Sequence, residues 1–483
     1  MLFNSPEFMF LFLPAVLLAF FWLNRTRLGS AGIGWLTLAS LVFYGWWNPV
    51  YVPLIVASVL ANYWAGVALI RGRLGPRAKK LLLGGAILAN LAVLAYYKYT
   101  GFIAANLAMA TGWRIPAVDL ILPLGISFFT FTQIAFLADA AQDKVRQLNL
   151  PSYALFVTYF PHLLAGPILH HAEMIPQFRE RANRVLQPEN FARGVALFVI
   201  GLFKKVIVAD QLAVWANAGF AQPAGHELFS AWFVALSYAG QLYFDFSGYT
   251  DMAIGVSLLF NIRLPENFNS PYKARDIQDF WRRWHMTLSR FLREYVYVPL
   301  GGNRRGEFAA YRNLVLTFLV GGIWHGAGWT FIFWGALHGT AIVLHRAWKR
   351  LGFALPGPIA WLLTFTFVTC GWVLFRAKTV GDGIEILRGM LGLNGVLVSR
   401  QLARLANSVF GVRLSFGDWL PQASTNEFVF ALACVMATVL LPNSAQIVAH
   451  VAPTRKSAFA IAAMLVACFL SLGQVTEFIY FQF

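Results

Sequence analysis

The sequence predicts an all-α polytopic membrane protein of about eleven transmembrane helices, with re-entrant and interfacial helices beside them. Three observations lead there. Of 483 residues, 58% are hydrophobic and only 12% charged. Several uncharged runs exceed the roughly 18 apolar residues that mark a membrane span. Lys and Arg fall in short segments between those runs, where the positive-inside rule places cytoplasmic loops. A membrane β-barrel needs only about 10 alternating residues per strand. The runs here are continuous and longer, so a helical bundle satisfies the backbone better.

Phe8 to Leu23 forms the first span. Glu7 rather than a basic segment precedes it and no small-x-small cleavage site follows, which reads as a retained helix and not a signal peptide. Arg25 and Arg27 place its far end in the cytoplasm, so the N-terminus faces outward. Residues 31 to 70 carry no charge, enough for two passes broken at the Asn48-Pro49 turn signal. The chain then returns to Arg71, Arg73, Arg77, Lys79 and Lys80, on the same basic side. Leu81 to Tyr97 crosses outward, and Ile121 to Ala138 crosses back to Lys144 and Arg146.

Leu148 to His171 holds Pro151, Pro161 and Pro167 with positive charge at both ends, which predicts a re-entrant element. Irregular backbone at that depth needs protein or a water-filled cavity around it, so Tyr159-Phe160-Pro161-His162 and Ala165-Gly166-Pro167 are expected cavity walls. Further spans are expected at 191–217, 228–260, 311–324, 329–345, 359–375, 427–441 and 457–473. The segments 102–118 and 398–420 are too polar or too short and are expected along an interface. Neither repeats nor a long hydrophilic insert are visible, so residues 1–483 are read as a single membrane-embedded domain.

The net charge of +17 raises nucleic-acid binding, but the basic residues are dispersed among loops between apolar runs, and no nucleic-acid partner is expected. Cys370, Cys434 and Cys468 lie in apolar stretches without CxxC spacing, so they read as small core residues. His170-His171-x-Glu173 has a metal-like look, yet it lacks a third spaced ligand, and no metal is expected.

One residue stands out within the apolar runs. His325 sits in Gly321-Gly322-Ile323-Trp324-His325-Gly326-Ala327-Gly328-Trp329; the last charge before it is Arg312 and the next is Arg346. A helix starting near Arg312 would carry the imidazole roughly 20 Å deep into a core about 30 Å thick. An ionisable group at that depth marks a functional site by default. The alternative is a neutral histidine bonded to a neighbouring helix carbonyl. His338 and His345 occupy the following span, with His345 beside Arg346 at its cytoplasmic end.

A second feature precedes it. Between Arg263 and Arg305 stand nine Lys or Arg against four Asp or Glu, interleaved with Trp281, Trp284, Tyr295 and Tyr297. At helical spacing, Phe280, Trp284, Leu288 and Phe291 share an apolar stripe while Arg282, Arg283 and Arg290 lie off it. This pattern predicts a helix at the cytoplasmic interface, its aromatics anchoring and its guanidinium groups meeting phosphates, whether of lipid headgroups or of a donor. Arg282, Arg283, Trp281 and Trp284 are the candidate donor-binding residues. His285 lies beside the stripe, 40 residues before His325, and the two are expected to flank one channel.

At these words the chain resembles membrane-bound O-acyltransferases of the bacterial alginate-acetylation type. The resemblance runs through Phe280 to Ser289, Tyr297-Val298-Pro299-Leu300-Gly301-Gly302-Asn303-Arg304, Leu122 to Phe131, and Gly201-Leu202-Phe203-Lys204-Lys205-Val206. It continues through Tyr243 to Asp251, Trp324-His325-Gly326, Gly371-Trp372-Val373-Leu374-Phe375-Arg376 and the terminal Phe478 to Phe483. The resemblance implies that His325 is the catalytic residue and His285 its companion, inside a ring of helices around a central funnel. It implies a bacterial inner-membrane enzyme that takes acetyl from a cytosolic thioester, acetyl-CoA, with no permanently bound cofactor. The acceptor it implies is an exported polysaccharide, alginate first. Its implied partners are periplasmic SGNH-type acetyltransferase proteins and a polysaccharide synthesis and export complex within the membrane lipids.

The chemistry asks for such a histidine. A hydroxyl is a poor nucleophile at neutral pH, and an imidazole that titrates near pH 6.5 takes its proton as it attacks, typically a contribution of about 10² to 10⁴. A covalent acyl-imidazole is the variant. His285 is expected to orient the thioester or to donate to the developing oxyanion. His162, Trp324 and Asp245 are expected to line the cavity, although a satisfied wall histidine is an equal reading of His162. Asp245 and Asp251 are expected to pair with arginines. Two rivals stay open on sequence alone: a proton-coupled transporter, for which no repeated halves are visible, and a non-catalytic scaffold of an export complex.

Overall fold

The computed structural model describes residues 1–25, 31–72, 74–114, 116, 120–145, 148–398, 400, 403–404, 407–408, 425–450, 454–473 and 478–479. Its elements are helices. Arg27, Arg73 and Arg146, most of the 398–420 segment and the last four residues of the terminal word lie outside the described residues. The chain forms two compact units, 1–201 with 249–266 and 452–461, and 202–248 with 267–451 and 462–483.

In the first unit a π-helical turn, Glu7–Phe12, runs into α1 (Leu13–Arg25). α2 (Ala31–Gly45) and α3 (Val52–Ile70) divide the uncharged stretch at the predicted turn, where Asn48 Oδ1 accepts from Val50 N at 3.0 Å. α4 (Pro76–Thr111) is longer than the sequence reading allowed. Lys98, Tyr99 and Thr100 are polar but do not break a helix, so the 102–118 segment is not a separate interfacial element as far as Thr111. Gly112, left-handed at φ +71°, ends it. At 36 residues α4 is about 54 Å long and exceeds a hydrocarbon core.

Buried amides of Asn62 and Asn90 exchange two hydrogen bonds, 2.7 and 3.1 Å, between α3 and α4. Polar pairs of this kind hold helices together where lipid removes the hydrophobic driving force. α5 (Ile126–Ala141) follows, then α6 (Leu150–Thr158) and α7 (Phe160–Leu163), two short buried helices broken at Tyr159 just before Pro161. Ser40 Oγ accepts from Phe160 N at 3.1 Å, which satisfies backbone freed by the break. α8 (His171–Arg179) and α9 (Pro188–Phe203) complete the run.

The second unit continues α9 through a π-helical turn, Lys204–Ala209, into α10 (Asp210–Ala221). α11 (Leu228–Leu259) belongs to the second unit up to Gly248 and to the first from Tyr249. α12 (Ile277–Arg283), α13 (Met286–Leu292), α14 (Glu307–His325), α15 (Trp329–Arg350), α16 (Gly357–Arg376) and α17 (Val380–Met390) follow. Among the described residues, Thr425–Leu440, Ser444–His450 and Arg455–Leu470 come after these.

Among the described residues, four helical stretches are long and apolar enough to cross a membrane: Glu7–Arg25, Pro49–Ile70, Pro76–Thr111 and Gly357–Arg376. The pair Asn426–Leu440 and Ser444–His450, bent by 59°, makes a fifth when counted as one span. The protein is a helical membrane protein. Large apolar side chains such as Leu18, Trp22, Leu81, Leu88, Leu344 and Leu362 face outward, as lipid contact requires.

α14 and α15 form the tightest hairpin of the second unit. A Cβ on Gly322 would stand 2.3 Å from Phe331 O, and one on Gly335 2.5 Å from Phe318 O. The two backbones therefore touch. Arg350 closes the open end by pairing with Glu307 and lying over the Tyr311 ring. Gly335→Val is expected to destabilise the folded protein by about 1–3 kcal/mol through overpacking. Gly84→Ala, on α4 with open space around it, should be neutral or slightly stabilising. Thermal unfolding in detergent measures both; an unchanged midpoint for Gly335→Val contradicts the close approach.

Candidate active site

α12 begins where Asp276 accepts from Asp279 N at 2.8 Å, an N-cap. It ends at Arg283, and His285 takes a left-handed φ of +43° before α13 starts. The sequence reading of one continuous helix through Phe291 is therefore corrected. The cause lies in the loop before α12. Asn267 O accepts from Met286 N at 2.9 Å, and Asn269 N donates to Arg283 O at 2.9 Å. Asn267 Oδ1 accepts from Thr287 N at 3.2 Å and from Thr287 Oγ1 at 2.9 Å. These bonds replace those of an unbroken helix and offset a strain of about 1–3 kcal/mol at His285.

The same amide fixes the proton on His285. A backbone N–H must donate, so the atom facing Thr287 N is the amide oxygen. That oxygen also meets His285 Nδ1 at 3.1 Å, so Nδ1 carries the hydrogen and the neutral ring has its lone pair at Nε2. His338 on α15 is the reverse case. The indole Nε1 of Trp281 only donates, and it meets His338 Nδ1 at 3.2 Å, so neutral His338 carries its hydrogen on Nε2.

His325 is the last residue of α14, and Gly326 leaves it in extended conformation towards Gly328. A Cβ on Gly326 would stand 2.2 Å from the Phe331 ring, so glycine lets that ring close against the backbone behind the histidine. The His325 ring is walled by Trp324 at 4.9 Å, Trp334 at 5.2 Å and Phe375 at 5.2 Å. The His285 ring lies 6.4 Å away, itself edge-on to Phe246 at 4.8 Å. His285 is fully buried and His325 4% exposed. At that centroid separation the two imidazoles are close enough for one reacting group to reach both.

The remaining residues singled out in the sequence fall as follows. Trp324 belongs to the histidine cluster. Trp281 and Trp284 point into packed aromatic surroundings, Trp284 lying 4.8 Å from Trp372 and stacked on Phe280 at 5.8 Å. Arg283 is held by Asp279 at 2.9 Å, while Arg282 is exposed. His162 sits in the first unit, its Nε2 within 2.9 Å of Phe156 O.

Asp245 pairs with a lysine, not with an arginine as expected. Lys205 Nζ lies 2.7 Å from Asp245 and 2.8 Å from Asp210, and Asp245 Oδ2 accepts from Ile479 N at 2.8 Å. The π-helical turn at Lys204–Ala209 holds Lys205 between these carboxylates, so three of the family-like words meet at one buried ion cluster. Among the described residues no group of three His, Cys, Asp or Glu side chains gathers to hold a metal, and Cys370, Cys434 and Cys468 are free thiols. Sequence reasoning missed Asn267, Lys205 and the pairing of Trp281 with His338. The run Asn267-Phe268-Asn269-Ser270-Pro271 is a turn signal that marks the first.

With this geometry in place, similarity to known proteins is informative. The pattern of the MBOAT, membrane-bound O-acyltransferase family, matches residues 89–380, more than half of the chain. The chain is 48% identical over 443 residues to the peptidoglycan O-acetyltransferase of Helicobacter pylori, covering 85% of this chain and 84% of that one. It is 37% identical over 511 residues to the "probable alginate O-acetylase AlgI" of Azotobacter vinelandii, with 100% of both covered. To the protein of that name from Pseudomonas aeruginosa it is 43% identical over 456 residues, 88% and 85% of the two chains. The chain belongs to the membrane-bound O-acyltransferase family and is an acyltransferase.

Two measurements check the site. In ¹⁵N-His-labelled protein, neutral His285 should show the shift pair of an Nδ1–H ring and His338 that of an Nε2–H ring; the opposite assignment at either position contradicts the hydrogen-bond reading. Asp245→Ala leaves buried Lys205 with one carboxylate fewer and should cost about 3–5 kcal/mol, read as a lower unfolding midpoint. A midpoint equal to the parent's would mean the cluster does not hold the fold.

Proposed function

We propose that the protein is a bacterial inner-membrane O-acetyltransferase, with His325 as general base and His285 as its companion, working on an exported polysaccharide. The observation that carries this reading is the approach of the two buried imidazoles, at the end of α14 and at the break between α12 and α13, to 6.4 Å. In the proposed reaction an acceptor hydroxyl oxygen attacks the thioester carbonyl carbon while its proton passes to His325. The carbonyl π pair moves onto oxygen; when the oxyanion collapses, the carbon–sulfur bond breaks and the thiolate takes the proton back from His325. Acetyl-CoA on the cytosolic side is the proposed donor, and no resident cofactor enters the cycle.

The Asn267 bond shapes the part played by His285. A neutral ring with its lone pair at Nε2 accepts a proton or a hydrogen bond, so His285 is proposed to orient the hydroxyl rather than to donate to the oxyanion. Arg282, exposed at the end of α12, is proposed to meet the phosphates of the donor, with Arg283, Trp281 and Trp284 shaping that helix end. Trp324 and Asp245 remain in the proposal as residues around the cavity, and His162 as a wall residue within the first unit. With only 4% of His325 exposed, transfer requires a passage that opens to admit the acyl group. The proposal includes about eleven crossings, residues 1–483 acting as one catalytic domain, and periplasmic SGNH-type acetyltransferases in an export complex that complete the transfer.

Alginate is the acceptor named for several of the relatives. The 48% identity to a peptidoglycan O-acetyltransferase favours a second reading, in which the sugar is that of the cell wall. Ester-linked acetate released separately from secreted polymer and from purified wall sacculi distinguishes the two. His325→Ala is expected to remove acetate from whichever polymer carries it, while the protein still inserts at parental level. Acetate unchanged in that strain overturns the catalytic assignment.

A further inference from the structure

Trp334 packs edge-on against His325 at 5.2 Å and, tilted by 56°, against His338 at 4.8 Å. Trp334 is 1% exposed and His338 not at all. The hydrogen on neutral His338 is on Nε2, because Trp281 donates to Nδ1. That Nε2 and the indole Nε1 of Trp334 have no hydrogen-bond partner among the described residues. Both lie near one point on α16, where a Cβ built on Gly371 would stand 3.0 Å from His338 Nε2 and 3.7 Å from Trp334 Nε1. Two buried N–H groups therefore converge on the space that a missing side chain leaves.

Leaving such donors unmet is costly, and a fold needing only packing here would be served by Phe and Leu. A preorganised pair of N–H groups next to a general base is what a developing oxyanion requires. We propose that Trp334 Nε1 and His338 Nε2, facing the gap at Gly371, bind the acyl carbonyl oxygen of the donor thioester and hold the oxyanion formed from it. The inference rests on the catalytic reading of His325. Its step is the one already written: the π pair of the carbonyl moves to oxygen between the two N–H groups, and returns when the carbon–sulfur bond breaks. His285, whose Nδ1–H is taken by Asn267, supplies no donor in its neutral form, so the oxyanion needs others.

The test uses the full-length protein in inverted membrane vesicles with [¹⁴C]acetyl-CoA as the varied donor, rates being normalised to folded protein by fluorescence-detected size exclusion. Trp334→Phe keeps the ring and removes one donor; Gly371→Ala fills the gap. Each is expected to lower kcat by about 10²-fold or more while KM stays nearly constant, because the lost contact exists mainly in the transition state. A buried water bridging the two donors, or packing alone, predicts instead a shifted unfolding midpoint with kcat within about threefold of the parent, and that result overturns the proposal. His325→Ala is run beside them. If it is dead while both variants turn over normally, only the oxyanion assignment fails; if it remains active, the reading of the site itself fails.

Discussion

A chain that buries imidazoles in an apolar bundle has to settle where each ring proton sits, and most of the chemistry here follows from how it does so. Asn267 Oδ1 receives Thr287 N, Thr287 Oγ1 and His285 Nδ1 together. That single oxygen stabilises the break between α12 and α13, holds His285 in a left-handed backbone conformation and fixes its tautomer. The indole of Trp281 does the corresponding work for His338. Both ring orientations are set by protein groups, as the proposed site requires.

The framework around these rings is built by close backbone contact. Glycines at 322 and 335 bring α14 and α15 into contact, and Gly326 admits the Phe331 ring immediately after His325. The catalytic candidate thus stands at the end of a rigid helix, not on a loop, which suits a residue that must keep its geometry. The Lys205 cluster ties the π-helical turn, α11 and Ile479 together in the same unit. An ion pair this deeply buried contributes positioning more than net stability, since desolvation offsets most of its attraction.

Much of this was legible in the sequence, and the reasons differ by element. The break at Asn48-Pro49 and the first helix were readable because turn residues and charge-free runs are local signals. His325 was readable because an ionisable residue far from any charge contrasts with everything around it. The α12–α13 break was not readable: Trp284-His285-Met286 holds neither Gly nor Pro, and the bonds that compensate it come from Asn267, outside the helical window. Lys205 paired with Asp245 rather than an arginine for the same reason, since partners distant in sequence leave no mark on periodicity. The extent of α4 was misjudged because the crossing was ended at Tyr97 and residues 102–118 were set apart as too polar or too short, although the helix runs on to Gly112.

The central claim is that the acyl group of the donor meets the hydroxyl at His325. The most direct measurement is a cryo-EM structure with acetonyl-CoA, a ketone analogue whose carbon–carbon link replaces the cleavable thioester bond. The account predicts its carbonyl carbon within about 6 Å of a His325 ring nitrogen, the combined reach of one bridging hydroxyl. An analogue bound with its carbonyl elsewhere, and His325 still enclosed by Trp324, Trp334 and Phe375, would contradict it.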